Sequence, residues 1–286
     1  MTDTDPHALL AALRDRATEI RTPCGDGTLM WRAWGPEDSP HPPVILLHGG
    51  FGSWNHWVRT IPALEGEYRL IAGDLPGCGD SASVPQRPYE AADLVAPIVA
   101  GIDRVVPGDA PFDLVAFSFG GVLSGLIAHA QARRIRRLVI VGSPILGLIP
   151  TGPANDLTPV PRSLPLEEAM PLYRRNLEKL MVRDPAAIDD LAMALHMENM
   201  ATARLRSRHI ARTSVLADSL RGLPCPLTGI FGDADVTLKP DLAGVRAYVA
   251  EIQPGAAFHV IPDCGHWVPY EAADAFNALL AQVLAG

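Results

Sequence analysis

Little in this chain points toward a membrane, a nucleic acid or an oxidising compartment. It has only four cysteines, Cys24, Cys78, Cys225 and Cys264, scattered without paired metal spacing. Met1 to Asp15 is acidic and has no apolar core of the signal-peptide kind. Reduced thiols in a cytoplasm are therefore expected. No stretch approaches the ~20 apolar residues of a membrane span. Basic charge is also short: 24 Lys and Arg stand against 32 Asp and Glu, a net charge of −8. That balance gives no footprint for a phosphate backbone. The one basic run, Arg133-Arg134-Ile135-Arg136-Arg137, is expected at the C-terminal end of a helix, where cations complement the dipole. The glycine loops lack the G-x-G-x-x-G fingerprint of dinucleotide binding. No cofactor is called for. The expected partner is a small-molecule substrate, with a second copy of the chain in a homodimer as an option, and with neither nucleic acid nor membrane.

Against these absences stands Phe112 to Gly121, Phe-Asp-Leu-Val-Ala-Phe-Ser-Phe-Gly-Gly. A short apolar run, Leu114 to Phe117, leads into Ser118, and a helix-like segment, Val122 to Gln131, follows. Small residues flank the serine at minus two (Ala116) and plus two (Gly120). That is the shape of a strand–turn–helix with a serine on a sharp elbow, usually written G-x-S-x-G. The turn brings the backbone at those two positions close together, so bulky side chains are excluded. A serine hydroxyl is a poor nucleophile alone and needs a base, an acid to orient the base, and donors for an oxyanion.

The rest of the chain supplies them in order. His7–Ala17 reads as a helix, and Glu19–Thr22 and Thr28–Trp34 as a hairpin around Gly25-Asp26-Gly27. Val44–Leu47 is an apolar strand that ends in His48-Gly49-Gly50-Phe51-Gly52. Such a loop points a backbone N–H at a ligand, and the residue after the nucleophile gives the second donor. Here these are the N–H groups of Gly50 and Phe119, and losing one such donor costs ~3–4 kcal/mol of barrier. His48 could serve as a base but reads better as a buried loop residue. Trp54–Leu64 is read as a helix and Arg69–Ala72 as a strand. Asp74, in the loop that follows, precedes Ser118 and reads as loop structure. Tyr89–Val106 is a helix with a kink expected at Pro97. Arg137–Val141 is the next strand, and this alternation signals a parallel α/β sheet.

From residue 144 the pattern changes. Pro150, Pro153, Pro159, Pro161 and Pro165 punctuate a strand-free region. Helix-like segments follow at Leu166–Val182, Pro185–His196 and Thr202–Leu220. Residues 144–221 read as a helical cap between two parts of one core, 1–143 and 222–286. Among the cap arginines, 174, 175, 204, 206, 208 and 212, one or two could hold a substrate carboxylate, and Arg206 is the candidate. The sheet resumes at Cys225–Phe231, ending in Gly232-Asp233-Ala234-Asp235. Helix-like Leu238–Ile252 precedes the strand Ala257–Ile261, which ends in Asp263-Cys264-Gly265-His266-Trp267. A last helix covers Tyr270 to Leu284. Functional groups gather at the carboxyl ends of parallel strands, and four such ends carry Gly50, Ser118, Asp235 and His266. Asp235 lies further out along its loop than Asp233, two residues away, and is the better partner for His266. The order Ser…Asp…His is that of the elbow class.

The chain resembles the α/β-hydrolase family over almost its whole length. The resemblance rests on His48-Gly49-Gly50, Gly73-Asp74-Leu75-Pro76-Gly77-Cys78-Gly79-Asp80-Ser81, Ser118-Phe119-Gly120-Gly121, Gly232-x-x-Asp235 and Gly265-His266. It implies a mostly parallel eight-stranded sheet flanked by helices, with a helical cap after strand 6 and a Ser118, Asp235, His266 triad. The ending Cys264 to Glu271 is similar to that of the meta-cleavage-product hydrolases, which cut carbon–carbon bonds in ring-fission dienones and carry a helical cap in the same place. That likeness puts Trp267 near the substrate. The subgroup commonly has asparagine before the nucleophile and methionine after it, where this chain has Phe117 and Phe119. The departure favours a carboxylic ester with a small or medium apolar or aromatic group, lined by Phe51 and Phe117. Carbon–carbon cleavage is the alternative, and a low-turnover ligand-binding or receptor protein a third reading.

Overall fold

The computed structural model describes residues 5–148, 156–238 and 240–286. The proline-rich stretch at Pro150 and Pro153 lies outside the described residues. Among the described residues eight strands form one sheet: β1 (Thr18–Cys24), β2 (Gly27–Trp34), β3 (Val44–Leu47), β4 (Leu70–Gly73), β5 (Phe112–Phe117), β6 (Ile135–Val141), β7 (Leu227–Gly232) and β8 (Ala257–Ile261). Their spatial order is β1-β2-β4-β3-β5-β6-β7-β8. The β1–β2 hairpin joins antiparallel to β4, and β4 through β8 pair in parallel. The carboxyl ends of β3, β5, β7 and β8 therefore share one edge.

The sheet is buried on both faces, so its central strands read as unbroken apolar runs rather than alternating ones. In β3, Ile45 and Leu47 join the core on one face, while Val44 and Leu46 join the other. On the first face sit α3 (Ala91–Val105), α4 (Phe119–Ala130) and α9 (Leu242–Ile252), through Ile98, Ile127 and Val249 among others. On the second sit α1 (Pro6–Asp15) and α11 (Ala273–Ala285), through Leu13 and Phe276. Between β6 and β7 the described residues hold only helices: α5 (Leu166–Leu180), α6 (Asp190–Thr202), α7 (Arg208–Ala211) and α8 (Val215–Ser219). This helical cap shares a core with the sheet through Leu177 and Met193. Among the described residues no helix is long and apolar enough to cross a membrane.

Several sequence expectations break at points with visible causes. Trp54–Leu64 is not one helix but a 3-10 turn, Trp54–Trp57, and a short α2, Ile61–Leu64. Pro62 sits in the first turn of α2, the position a proline tolerates, because it lacks the N–H an interior site requires. Thr202–Leu220 splits because Arg204 and Leu205 both give their N–H to the Gly77 carbonyl instead of a helix. Within Pro185–His196 a new helix starts where the Asp189 side chain caps Ala192 N–H at 2.9 Å. The final helix divides into α10 (Val268–Glu271) and α11. The basic run does not cap α4, which ends at Ala130. Arg134 instead bonds Asp103 and the carbonyls of Val106 and Ala110, while Arg136 and Arg137 flank the buried Asp113 from β6. All four cysteines are free and buried.

Candidate active site

The elbow is built by steric exclusion. Ser118 sits at φ 50°, ψ −112°, a conformation disfavoured for a residue with a Cβ. Its backbone is over-determined: Ser118 N–H donates to Val141 O at 2.9 Å and Gly120 N–H to His48 O at 3.0 Å. A Cβ on Gly120 would lie 2.7 Å from His48 O and 2.8 Å from Leu47 O. Both are backbone atoms that cannot swing away, which explains the glycine at plus two. At minus two, Ala116 pairs with Leu47 of β3 and Ile140 of β6 and is fully buried, so a methyl group fits there and little more would.

The elbow delivers Ser118 Oγ to 2.9 Å from His266 Nε2. On the other side of the imidazole, His266 Nδ1 lies 3.0 and 2.9 Å from the two oxygens of Asp235. His266 and Asp235 are buried and Ser118 is half-buried, so the polar relay runs from the interior to a partly open hydroxyl. Asp233 is exposed and accepts Cys264 N–H at 3.1 Å, tying the β7 end to the β8 end. The choice the sequence left between two aspartates therefore falls on Asp235 by distance. Sequence reasoning missed Thr237, whose N–H and hydroxyl both donate to Asp235 Oδ1, at 2.8 and 2.7 Å. Its Oγ1 is also 3.2 Å from His266 Nδ1. The only available signal was a hydroxyl residue two places after the acid.

Gly50 and Phe119 line the cavity beside Ser118, and neither N–H donates to a group among the described residues. His48 is buried in the loop, where burial pushes its imidazole down to about 4. Asp74 is also structural: its carboxylate accepts the N–H groups of Trp54 at 2.8 Å and Asp80 at 3.0 Å. Burial nevertheless pushes it up to about 6.

The cavity at Ser118 is about 70 Å³, and its walls include Phe51, Phe117, Phe119, Leu157, Leu180 and Met181. It shares Gly50, Phe51, His56 and Arg208 with a second chamber of about 250 Å³ under the cap, which adds Asn176, His196 and Met200. Phe51 and Phe117 line the cavity at Ser118, and Phe117 also packs in the core. Trp267 is not where the likeness puts it: it is buried, stacks on Tyr270 at 4.2 Å and lines neither chamber. Its indole N–H is spent on His56 O at 3.3 Å. Arg206 is exposed and lines neither chamber. The cap arginine that reaches both is Arg208, whose guanidinium has no acidic or hydrogen-bonding partner among the described residues. Burial, and then Arg212, lower its pKa. In the second chamber, His196 Nε2 is buried without a hydrogen-bond partner among the described residues. A larger groove of about 830 Å³ between α1, α5 and α6 touches none of these groups.

An elbow serine, an imidazole and a buried carboxylate in contact, under a helical cap at the carboxyl edge of a mostly parallel sheet, define a hydrolase-type site. Residues 44–279 match the model of the alpha/beta hydrolase family, and the chain belongs to that family. Similar curated proteins include a 2-hydroxy-6-oxononadienedioate/2-hydroxy-6-oxononatrienedioate hydrolase from Burkholderia vietnamiensis. It is 28% identical over 280 residues, covering 91% of this chain and 92% of that protein. The protein of the same description from Escherichia coli K12 is 29% identical over 262 residues, 85% and 86% of the two chains. Among solved structures, the meta-cleavage product hydrolase CumD from Pseudomonas fluorescens IP01 superposes with a TM-score of 0.72 at 24% identity, covering 92% of this chain and 96% of that one. The carboxylesterase CesB from Bacillus subtilis gives 0.77 at 18% identity, covering 98% and 96%. At those identities the two structures speak for the fold.

Proposed function

We propose that this chain is a serine hydrolase that cleaves the carbon–carbon bond next to a ketone in a carboxylate-bearing dienone, through Ser118. One observation carries the reading: the Ser118–His266–Asp235 relay opens into chambers whose single unpaired cation among the described residues is Arg208. The curated relatives, named as dienedioate hydrolases and matching 85–91% of the chain, support the same direction.

Ser118 Oγ attacks the ketone carbon while His266 Nε2 takes its proton. The N–H groups of Gly50 and Phe119 receive the charge that develops on oxygen. Collapse of the tetrahedral adduct breaks a carbon–carbon bond. The electron pair needs a conjugated carbonyl to receive it, so the substrate must be a vinylogous diketone and not a simple ketone. His266 returns its proton to the departing carbon fragment. Water, deprotonated by the same imidazole, then releases the acyl group. Asp235 fixes the imidazole tautomer and balances its transient charge. Residues 144–221 act as the cap, with Arg208 holding the substrate carboxylate.

Ester cleavage is the second reading, favoured by the apolar wall of Phe117, Phe119, Leu157 and Leu180 at the serine. It uses the same atoms with an alkoxide as leaving group. The two are separated by comparing kcat/KM on a ring-fission dienone bearing a carboxylate with kcat/KM on p-nitrophenyl esters of graded acyl length. Loss of dienone absorbance at the higher efficiency supports the first reading. Ester turnover with an inert dienone replaces it with the second.

A further inference from the structure

We propose that two neutral imidazoles, His48 and His56, clamp the Gly49 backbone and so aim the Gly50 N–H at the reacting carbonyl. This rests on the reading above, in which Ser118 is the nucleophile and Gly50 an oxyanion donor. Leu75 N–H donates to His48 Nε2 at 2.8 Å, so that nitrogen is an acceptor and the ring proton sits on Nδ1. Nδ1 in turn lies 2.7 Å from Gly49 O, to which it donates. The Gly49–Gly50 peptide is trans, so its carbonyl and its N–H point in opposite directions. Holding the carbonyl on His48 therefore sets the direction of the Gly50 N–H. Gly52 N–H adds a second, longer bond to the same oxygen, at 3.2 Å.

His56 holds the other end of the residue. Gly49 N–H donates to His56 Nδ1 at 3.2 Å, which places the His56 proton on Nε2. The ring lies against Gly52, where a Cβ would meet His56 Cε1 at 2.2 Å, so the glycine at 52 makes room for the imidazole. The ring is also packed edge-on to Phe117 at 5.5 Å and tilted against Trp267 at 5.2 Å. Both clamps need uncharged rings, since a protonated imidazole cannot accept an N–H. Burial depresses both, His48 to about 4 and His56 well below its ordinary value. Neither residue reaches the relay itself; they are positioning residues for the donor.

The test is the rate of Ser118 phosphonylation by an alkyl fluorophosphonate. In that reaction the Oγ–P bond forms, the P–F bond breaks, fluoride leaves and His266 takes the hydroxyl proton, while the phosphoryl oxygen occupies the oxyanion site. His56→Leu keeps an apolar side chain of similar bulk but no acceptor. His56→Asn is smaller yet keeps an acceptor near Nδ1. The proposal predicts phosphonylation at least tenfold slower in His56→Leu, roughly the order expected for a weakened oxyanion donor. It predicts most of the rate restored in His56→Asn, a rescue read from phosphonylation alone because His56 also walls both chambers. A packing role predicts the opposite ranking, because leucine fills the apolar surroundings better, and that ranking overturns the proposal. So does a wild-type rate in His56→Leu. At His48 the same logic makes His48→Asn, which can donate to Gly49 O, faster than His48→Phe. A wild type that is not labelled at Ser118 removes the reading the clamp depends on and the clamp with it, whereas a labelled wild type with indifferent variants removes the clamp alone.

Discussion

Ser118 should be held against its own preference, so that of two inactive variants glycine at this position should be more stable than alanine. At φ 50°, ψ −112° a residue with a Cβ carries strain of about 1–3 kcal/mol. Glycine carries almost none of it but is normally worse than alanine by about 0.5–1 kcal/mol, because its unfolded chain is freer. Ser118→Gly and Ser118→Ala both lose the 2.9 Å bond to His266, so that loss cancels between them. The difference should leave Ser118→Gly more stable than Ser118→Ala by about 1 kcal/mol and at most about 2.5 kcal/mol, a Tm higher by roughly 2 °C and at most about 4 °C in a chain of this size. Calorimetry at pH 7, with urea unfolding as a second route, measures it. A Ser118→Ala protein equal to or more stable than Ser118→Gly would refute the claim that the elbow stores backbone strain at the reacting residue.

Other consequences are open to measurement. Thr237→Val deletes the hydroxyl that donates to Asp235 Oδ1 at 2.7 Å. The carboxylate then becomes the stronger acceptor for His266, so the acid limb of kcat/KM should move to higher pH, with Thr237→Ser restoring the wild-type profile. Arg208→Gln should raise KM for carboxylate-bearing substrates about tenfold or more and leave neutral esters within about threefold, consistent with loss of a charge-assisted bond. Gly120→Ala puts a methyl group 2.7 Å from a backbone oxygen and should cost about 1–3 kcal/mol by overpacking, seen as a lower urea midpoint with unchanged slope. His196 is pushed down to about 4 by burial, below its unfolded value, so the unfolded chain holds the extra proton between those two values. Its effect on stability is absent above the unfolded value and becomes a penalty as pH falls toward 4, by up to about 3 kcal/mol. His196→Leu should lose less stability than the wild type on acidification from pH 7 to 4; an equal loss would contradict the assignment.

The strands were legible because burial on both faces leaves a plain signature. Val44–Leu47 and Ala257–Ile261 in the structure match the sequence reading residue for residue, and each ends in a loop of glycines or turn residues. The elbow was legible because its close contacts allow few residue types, Ala116 and Gly120 among them. The choice of Asp235 over Asp233 was legible only as a preference, since both emerge from the same strand end. What separates them is which carboxylate is tied to Cys264 N–H, a contact across strands. The cap was legible as a helical interruption but not in its interior. Helix ends there are set by tertiary bonds, such as the Gly77 carbonyl that captures Arg204 and Leu205. For the same reason the sequence could nominate Arg206 but not Arg208, because two arginines on one short stretch differ only in which of them the fold turns inward. Trp267 was misplaced by analogy with a motif. Its indole is held beneath the site by His56 O and Tyr270, and no local pattern encodes that.

The most direct test of the account is the comparison of wild type with Ser118→Ala on the best substrate of the dienone and ester panel, followed by mass analysis of acid-quenched protein. The account predicts kcat/KM lower by about four orders of magnitude or more in the variant, and an acyl mass on the wild-type peptide that contains Ser118. A variant within tenfold of wild type, or an acyl group on another residue, would contradict it.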